Sequence, residues 1–403
     1  MPCDFFYYKI IINSKADGVR RVQYRKLGRT GLDVGVVGLG SEFLWHEPLE
    51  VVQSVVDLAV ENGVNYIDLW MPSPEVRDNF GDVLQGRREK VLLAGHLGST
   101  LKDNQYFKTR DRAMGEKYLQ DFYTRLKTDY IDILMLHFID EQDEYDCVFG
   151  NGWILEYALK LKREGRVRYI GMSSHKVPVS LQAVNNGYVD VLMFPVNPAF
   201  DALPGDTQLE ALWQKESYNQ LDEKGYKPAI NRKELYSACV KQNVGIVAMK
   251  PYAGGWLLNG FTERSLKMTP AQCLNYSLSQ PGVSTVVPGC KNIKEMQDAL
   301  TYLSASDEEK DYSSAISESQ VGLAGSCMYC NHCLPCPSRI NIAEMTRLAD
   351  SAAYGVSDEM KGKYDAIAHK ASACIQCGAC MKRCPFGVDV ISNMERAVAL
   401  FEG

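Results

Sequence analysis

The sequence predicts an α/β protein in two parts, a closed (β/α)₈ barrel followed by a small helical domain rich in cysteine. Three observations carry this. From about residue 30 to 303, short β-branched runs alternate with longer amphipathic stretches. Most of the short runs are continuously apolar, as parallel strands are when both faces of their sheet are covered. Eight of the 13 cysteines crowd between Cys327 and Cys384. A length of 403 residues, at roughly 150 per domain, admits two or three domains, and this pattern selects two.

Strands are expected at Val34–Leu39, Val64–Asp68, Val91–Gly95, Tyr130–Leu136, Val167–Gly171, Val189–Phe194, Val244–Met249 and Ser284–Val287. Between the first two, Val52, Val55, Val56 and Ala59 recur at the spacing of one buried helix face, and Ile154, Ala158 and Leu161 repeat it later. Eight strand–helix pairs over about 270 residues suit a closed barrel. An open doubly wound sheet is the alternative, but no G-x-G-x-x-G follows the first strand. Residues 198–230 are too long for an ordinary βα loop and are expected to form a lid or helical insertion over the C-terminal mouth. The expected divisions are an N-terminal arm (1–21), the barrel (22–305), a linker (306–321) within the Ser/Asp/Glu-rich stretch Ser304–Ser319, and the cysteine domain (322–403). Two helical patterns, Ile342–Ala353 and Asp358–Ala371, fill the gap between the cysteine groups.

Composition narrows the partners. With 46% hydrophobic and 23% charged residues the chain is an ordinary globular one. No apolar run approaches the roughly 18 residues of a membrane span, and Tyr130–Ile139, the closest, carries Asp132. The N-terminus has neither the basic region nor the apolar core of an export signal, so a cytoplasmic location is expected. A net charge of −6 offers no basic excess for nucleic acid.

The second cysteine group, CIQCGACMKRCP, has the C-x₂-C-x₂-C-x₃-C-P spacing of bacterial ferredoxins; the first, CMYCNHCLPCP, is one residue shorter in its last gap. Three thiolates at this pitch can wrap one cubane while the fourth serves the other cluster. The expected ligand sets are Cys327, Cys330, Cys333 and Cys384 for one 4Fe–4S cluster, and Cys374, Cys377, Cys380 and Cys336 for a second. Zinc knuckles would leave the third cysteine of each triplet and both Cys-Pro steps unexplained. The long helical gap resembles α-helical ferredoxin-like domains.

In a barrel of this kind the chemistry lies at the C-terminal strand ends. Ser41, Glu42 and His46 follow the first expected strand, Asp68 ends the second, His96 follows the third and His137 the fourth. Ser173, Ser174 and His175 follow the fifth, Asn197 the sixth and Lys250 the seventh. Four of the six histidines thus fall at one end of the barrel.

The stretches RKLGRTGLDVGVVGLGSEF, ENGVNYID, GRREKVLLAGH, LKTDYIDILMLH, GRVRYIGMSSH, VGIVAMKPYAGGWL and STVVPGCKN resemble, in order and spacing, the landmarks of the aldo–keto reductases. The chain is similar, over about residues 22–403, to the subgroup with a C-terminal 4Fe–4S dicluster domain. The resemblance implies a TIM-type barrel that binds NADPH across its strand ends and a catalytic Asp, Tyr, Lys and His. Asp68 and His137 match the first and last of these. Ser73 stands at the Tyr position and His96 at the Lys position. A serine hydroxyl with no cation beside it is a far weaker acid than the family's tyrosine, so ordinary carbonyl reduction is not the expectation. The resemblance also assigns cofactor contacts to Ser173, Asn197, Tyr252, Gly289, Lys291 and Asn292, with Lys291 meeting a 2′-phosphate.

The expected function is therefore an iron–sulfur oxidoreductase. It would reduce a small organic substrate with electrons passed through two 4Fe–4S clusters, with NADP(H) as a further candidate cofactor. Asp68 would hold His96, and His96 with His137 would deliver protons. Nicotinamide gives hydride whereas clusters pass single electrons, so a bound flavin or a ferredoxin or flavoprotein donor stays open. One alternative is metal-dependent or acid/base lyase or hydrolase chemistry at Asp68, His96, His137 and His175. Another is a non-catalytic electron-transfer subunit. Trp45, Trp70 and Trp256 are candidates to wall a planar substrate. Tyr106, Lys108 and Arg110 read first as a charged, solvated loop, and otherwise as a contact for a carboxylate or phosphate.

Overall fold

The computed structural model describes residues 11–12, 21–150, 152–214, 216–218, 230–260, 266–318, 325–352 and 355–403. Eight parallel strands form the barrel: β1 (Leu39–Gly40), β2 (Tyr66–Leu69), β3 (Leu92–Leu97), β4 (Ile131–Leu136), β5 (Val167–Ser173), β6 (Val191–Pro195), β7 (Gly245–Met249) and β8 (Val283–Val287). They neighbour one another in chain order. The ring closes between the first and last through bridges Val37–Val286 and Gly40–Gly289 and through the bond from Gly38 N to Val286 O (2.8 Å). Both the continuous apolar runs and the closed α/β barrel expected from them are present.

Inside the ring, side chains from successive strands stack, among them Tyr66, Ala94, Ile133, Met135, Val191, Met193, Val247 and Val287. Leu27, fully buried, plugs the N-terminal end from a hairpin made by Tyr24–Lys26 and Asp33–Gly35. That plug needs Gly28: its φ is +49°, and a Cβ there would lie 2.2 Å from Gly245 N. The other strand faces pack under helices α1 (Leu49–Glu61), α2 (Pro74–Val83), α3 (Arg112–Arg125), α4 (Gln142–Phe149), α5 (Trp153–Arg163), α6 (Val177–Asn185), α7 (Arg232–Lys241), α8 (Pro270–Ser279) and α9 (Ile293–Leu300). In α1 the buried residues are the predicted Val52, Val55, Val56 and Ala59. Asp132, the charge within β4, is buried but held by Arg88 (2.8 Å) and Arg168 (2.7 Å), which offsets its desolvation.

Within 198–230, Pro198–Asp201 is a short helix and Ala211–Trp213 a single 3₁₀ turn; residue 215 and residues 219–229 of this expected insertion lie outside the described residues. The C-terminal helices α10 (Ile342–Ser351), α11 (Asp358–Ala366) and α12 (Val390–Phe401) form a separate helical domain. Along α12, Val390, Met394, Ala397 and Phe401 are buried at helical spacing, and Met345 and Leu348 of α10 share their core. The domain rests against the barrel at α7, where Ser237 Oγ donates to Asp350 O (2.6 Å) and Lys233 Nζ to Cys327 O (3.0 Å). Among the described residues no helix is long and apolar enough to cross a membrane.

Candidate active site

At the C-terminal strand ends lies a cavity of about 720 Å³. Asp68 in β2, His96 in β3 and His137 just past β4 meet on its wall, all buried. His96 Nε2 lies 2.9 Å from Asp68 Oδ1, and His96 Nδ1 lies 2.8 Å from His137 Nδ1. The chain continues one residue further than expected: His137 Nε2 is 2.7 Å from the hydroxyl of Tyr106. Adjacent parallel strands β2, β3 and β4 place the first three side chains at one level. Tyr106 arrives differently, on an antiparallel hairpin (Ser99–Lys102 with Gln105–Lys108) that leaves β3 and folds back over the mouth.

That hairpin turns at Asp103 and Asn104, both left-handed (φ +53° and +58°), a geometry in which Asp and Asn are at home. Thr100 Oγ1 to Phe107 O (2.6 Å) and Tyr118 Oη to Leu101 O (3.1 Å) pin it to its own strands and to α3. Trp70 lies stacked on His137 (centroids 5.7 Å apart) and meets Tyr106 edge-on (5.1 Å). Arg110 clamps the backbone of the turn after β4, donating to His137 O (3.0 Å) and Phe138 O (2.8 Å). Lys108 sits over the Phe138 ring at 4.2 Å and pairs with Glu144.

Electrostatics assign direction to the chain. Burial first, then His96, Arg110 and Lys108, hold His137 well below the ordinary imidazole range, so it is neutral. With His96 Nε2–H given to Asp68, His137 Nδ1–H donates to His96 and Tyr106 O–H donates to His137 Nε2. A second buried pair stands beside it: Asp140 takes both the backbone N–H (2.7 Å) and Nδ1 (3.0 Å) of His175. Burial lowers the pKa of His175 in spite of that carboxylate.

Of the other expected contacts, Ser173, Tyr252, Gly289 and Lys291 line the cavity; Asn197 and Asn292 are not among its lining residues. Asn197 is fully buried and bonded to Phe200 N and Lys250 O, so its amide holds the Lys250 backbone. Asn292 caps α9 through Glu295 N. Ser173 Oγ accepts from Phe138 N (2.8 Å), and Tyr252 Oη is buried with no partner among the described residues. A Cβ at Gly289 would lie 2.4 Å from the ring of Phe43, which shares the rim. Ser73 lies under the start of α2, away from the lining. Trp70 and Trp213 wall the cavity, whereas Trp45 and Trp256 are not among the lining residues.

The cysteine domain requires a correction. Cys327, Cys330, Cys333 and Cys384 line one small hollow, and Cys336, Cys374, Cys377 and Cys380 another, the same partition that the spacing predicts. Yet among the described residues no group of three or more Cys, His, Asp or Glu side chains is placed to hold a metal ion. The two expected 4Fe–4S clusters do not fit these side chains as they stand, and the iron–sulfur electron route into the barrel is withdrawn with them. The metal-dependent reading of Asp68, His96, His137 and His175 falls on the same geometry.

Residues 34–203 match the aldo/keto reductase family. Through its first six strands the barrel is therefore similar to an aldo/keto reductase domain. Residues 326–389 match the 4Fe-4S dicluster domain, so this reductase barrel is fused to a domain of that sequence family. The chain is 29% identical over 294 residues to the uncharacterized oxidoreductase YqkF of Bacillus subtilis, covering 68% of this chain and 89% of that protein. It is 27% identical over 180 residues to the protein tas of Escherichia coli, covering 38% of this chain and 52% of that one. Among solved structures, the holo form of aldo-keto reductase AKR11C1 from Bacillus halodurans superposes with a TM-score of 0.53 at 22% identity, over 72% of this chain and 95% of that one. That likeness carries the fold. Together the family match and the relatives make the chain an oxidoreductase of the aldo/keto reductase type.

Proposed function

We propose that the barrel mouth interconverts a carbonyl and an alcohol on a small organic molecule, with a nicotinamide dinucleotide as redox partner. The observation that supports it is the unbroken hydrogen-bonded chain from Asp68 through His96 and His137 into a cavity large enough for two ligands. When bound, the dinucleotide supplies or accepts the hydride. The residues present suit it. Tyr252 Oη is a buried donor without a partner among the described residues, Ser173 lines the wall, and Lys291 lies at the rim with its side chain 62% exposed and loosely paired with Glu47 (3.9 Å), where it would meet a phosphate. Trp70, Phe138 and Trp213 leave an apolar, aromatic chamber in which a planar substrate would be held and water excluded. The extents 22–305 for the barrel and 322–403 for the helical domain belong to this proposal.

Wild-type protein mixed with reduced nicotinamide dinucleotides and a panel of aromatic and aliphatic aldehydes and ketones should lose the reduced-nicotinamide absorbance. Asp68→Asn should lower kcat about 100-fold or more with KM little changed, because it removes the carboxylate that accepts from His96 Nε2 and anchors the chain. No oxidation with any carbonyl, together with no quenching of tryptophan fluorescence by the dinucleotide, would overturn the reading.

A further inference from the structure

We propose that Tyr106 is the group that gives the mouth's proton to substrate oxygen, and that it is reloaded from behind through His137 and His96. This rests on the carbonyl reduction proposed above and names the acid that reaction needs. Hydride addition to a carbonyl leaves charge on oxygen, and a donor at the cavity wall must meet it. The resemblance to the aldo–keto reductases puts Ser73 at the position of their tyrosine, yet Ser73 is not among the residues that line the cavity. Tyr106 does, and its hydroxyl heads three further groups in line, at 2.7, 2.8 and 2.9 Å. The other candidates lack that backing. Tyr252 Oη has no partner among the described residues to reload it, Ser173 Oγ is already engaged by Phe138 N–H, and His175 ends in a closed pair with Asp140.

A buried phenol by itself is a poor donor, since burial pushes its pKa well up. The chain behind it removes the obstacle by never leaving a bare phenolate. In the loaded state the extra proton lies on His96, beside the Asp68 carboxylate; His96 Nδ1–H donates to His137 Nδ1, and His137 Nε2–H donates to Tyr106 Oη. The Tyr106 hydroxyl hydrogen then points to the substrate. A hydride pair from the reduced nicotinamide forms the new C–H bond, and the carbonyl π pair moves onto oxygen. That oxygen takes the Tyr106 proton, Tyr106 takes the His137 Nε2 proton, and His137 Nδ1 takes the His96 Nδ1 proton. His96 ends neutral, still bonded to Asp68, and the nicotinamide ends oxidised. Charge and protons balance, and the final polarity is the one the neutral His137 dictates. In alcohol oxidation every arrow reverses.

Tyr106→Phe tests this, because it keeps the ring against Trp70 and deletes only the hydroxyl. It should lower kcat at least about 100-fold, leave KM within about threefold and abolish the wild-type solvent deuterium effect on kcat. Ser73→Ala should leave kcat within about twofold, as a residue outside the chain would. His96→Asn is the second variant: with Tyr106 intact, the curved proton inventory expected of the wild type should become linear. If the wild type turns over and Tyr106→Phe stays within about fivefold, or if the inventory keeps its curvature in His96→Asn, the Tyr106 relay is overturned while carbonyl reduction stands. If the wild type oxidises no nicotinamide with any carbonyl, carbonyl reduction itself falls and the donor role goes with it.

Discussion

At the scale of single residues, the structure separates what a side chain is from where it can reach. Asp68, His96 and His137 are legible in the sequence because each ends a strand, and strand ends are the one place where a barrel brings distant residues together. Tyr106 is not legible in that way. It lies between charged residues in KDNQYFKTR, and only the Asp103-Asn104 turn, a two-residue loop between β-prone stretches, hints that the segment folds back over the mouth. Another buried acid makes a sharper test of how this barrel handles charge. Asp201 takes hydrogen bonds from Tyr236 (2.8 Å) and Tyr276 (2.9 Å), yet burial still pushes its carboxyl up to about 6. A carboxyl whose folded pKa is raised favours the folded state at low pH and gives up that stability as pH rises through about 6. The buried His137 and His175 run the other way, losing stability as pH falls below the imidazole value. The Asp201 contribution is therefore isolated by difference. From about pH 4 to 7, the stability of Asp201→Asn minus that of the wild type should rise by about 2–3 kcal/mol in denaturant titrations. Parallel curves would mean that Asp201 ionises normally.

At the scale of elements, the regular pieces follow from pattern and the irregular ones from tertiary demand. Continuous apolar runs mark seven of the eight strands to within a few residues, whereas the expected first strand Val34–Leu39 splits between the base hairpin (Asp33–Gly35) and β1 (Leu39–Gly40); the helix of Val52 to Ala59 buries the face its spacing implies. The two hairpins that finish the barrel, one plugging its base and one capping its mouth, are too short to carry a period of their own and owe their shape to what they cover. Helix-to-helix fit is likewise invisible until the neighbours are known. Gly81 in α2 meets the C-terminal turn of α3 so closely that a Cβ would lie 2.0 Å from Arg125 O. Backbone cannot yield as a side chain does, so Gly81→Ala must push α2 outward and loosen Arg77, which α2 buries against Tyr118 O and Asp121. The cost should be about 2–3 kcal/mol, well beyond the roughly 1 kcal/mol that alanine gains over glycine in an open helix. A measured loss below about 0.5 kcal/mol would show that α2 slides freely over α3.

At the scale of the whole molecule, the two domains meet away from the chemistry. The mouth opens at the C-terminal strand ends, whereas a second cavity, about 570 Å³, lies at the barrel base between Arg25, Lys26 and Ser284 on one side and Glu344, Arg347 and Lys363 on the other. None of the eight clustered cysteines lines either cavity. The joint is held by polar bonds that cross from α7, Ser237 Oγ to Asp350 O and Lys233 Nζ to Cys327 O, with Tyr312 Oη donating to Met328 O from the barrel's trailing segment. Each such bond contributes about 1 kcal/mol, so removing the α7 pair should raise the opened population roughly 30-fold. Lys233→Ala combined with Ser237→Ala should accordingly speed protease cleavage between the barrel and the C-terminal helices by about that factor. Because the relay from Asp68 to Tyr106 is built wholly from β2, β3, β4 and the hairpin, kcat at the mouth should stay at the wild-type value in the same variant. Unchanged cleavage would mean that the domains are held by apolar packing, chiefly α10 against α7. A kcat that falls in step with cleavage would mean that the helical domain sets the geometry of the mouth from the far side of the barrel.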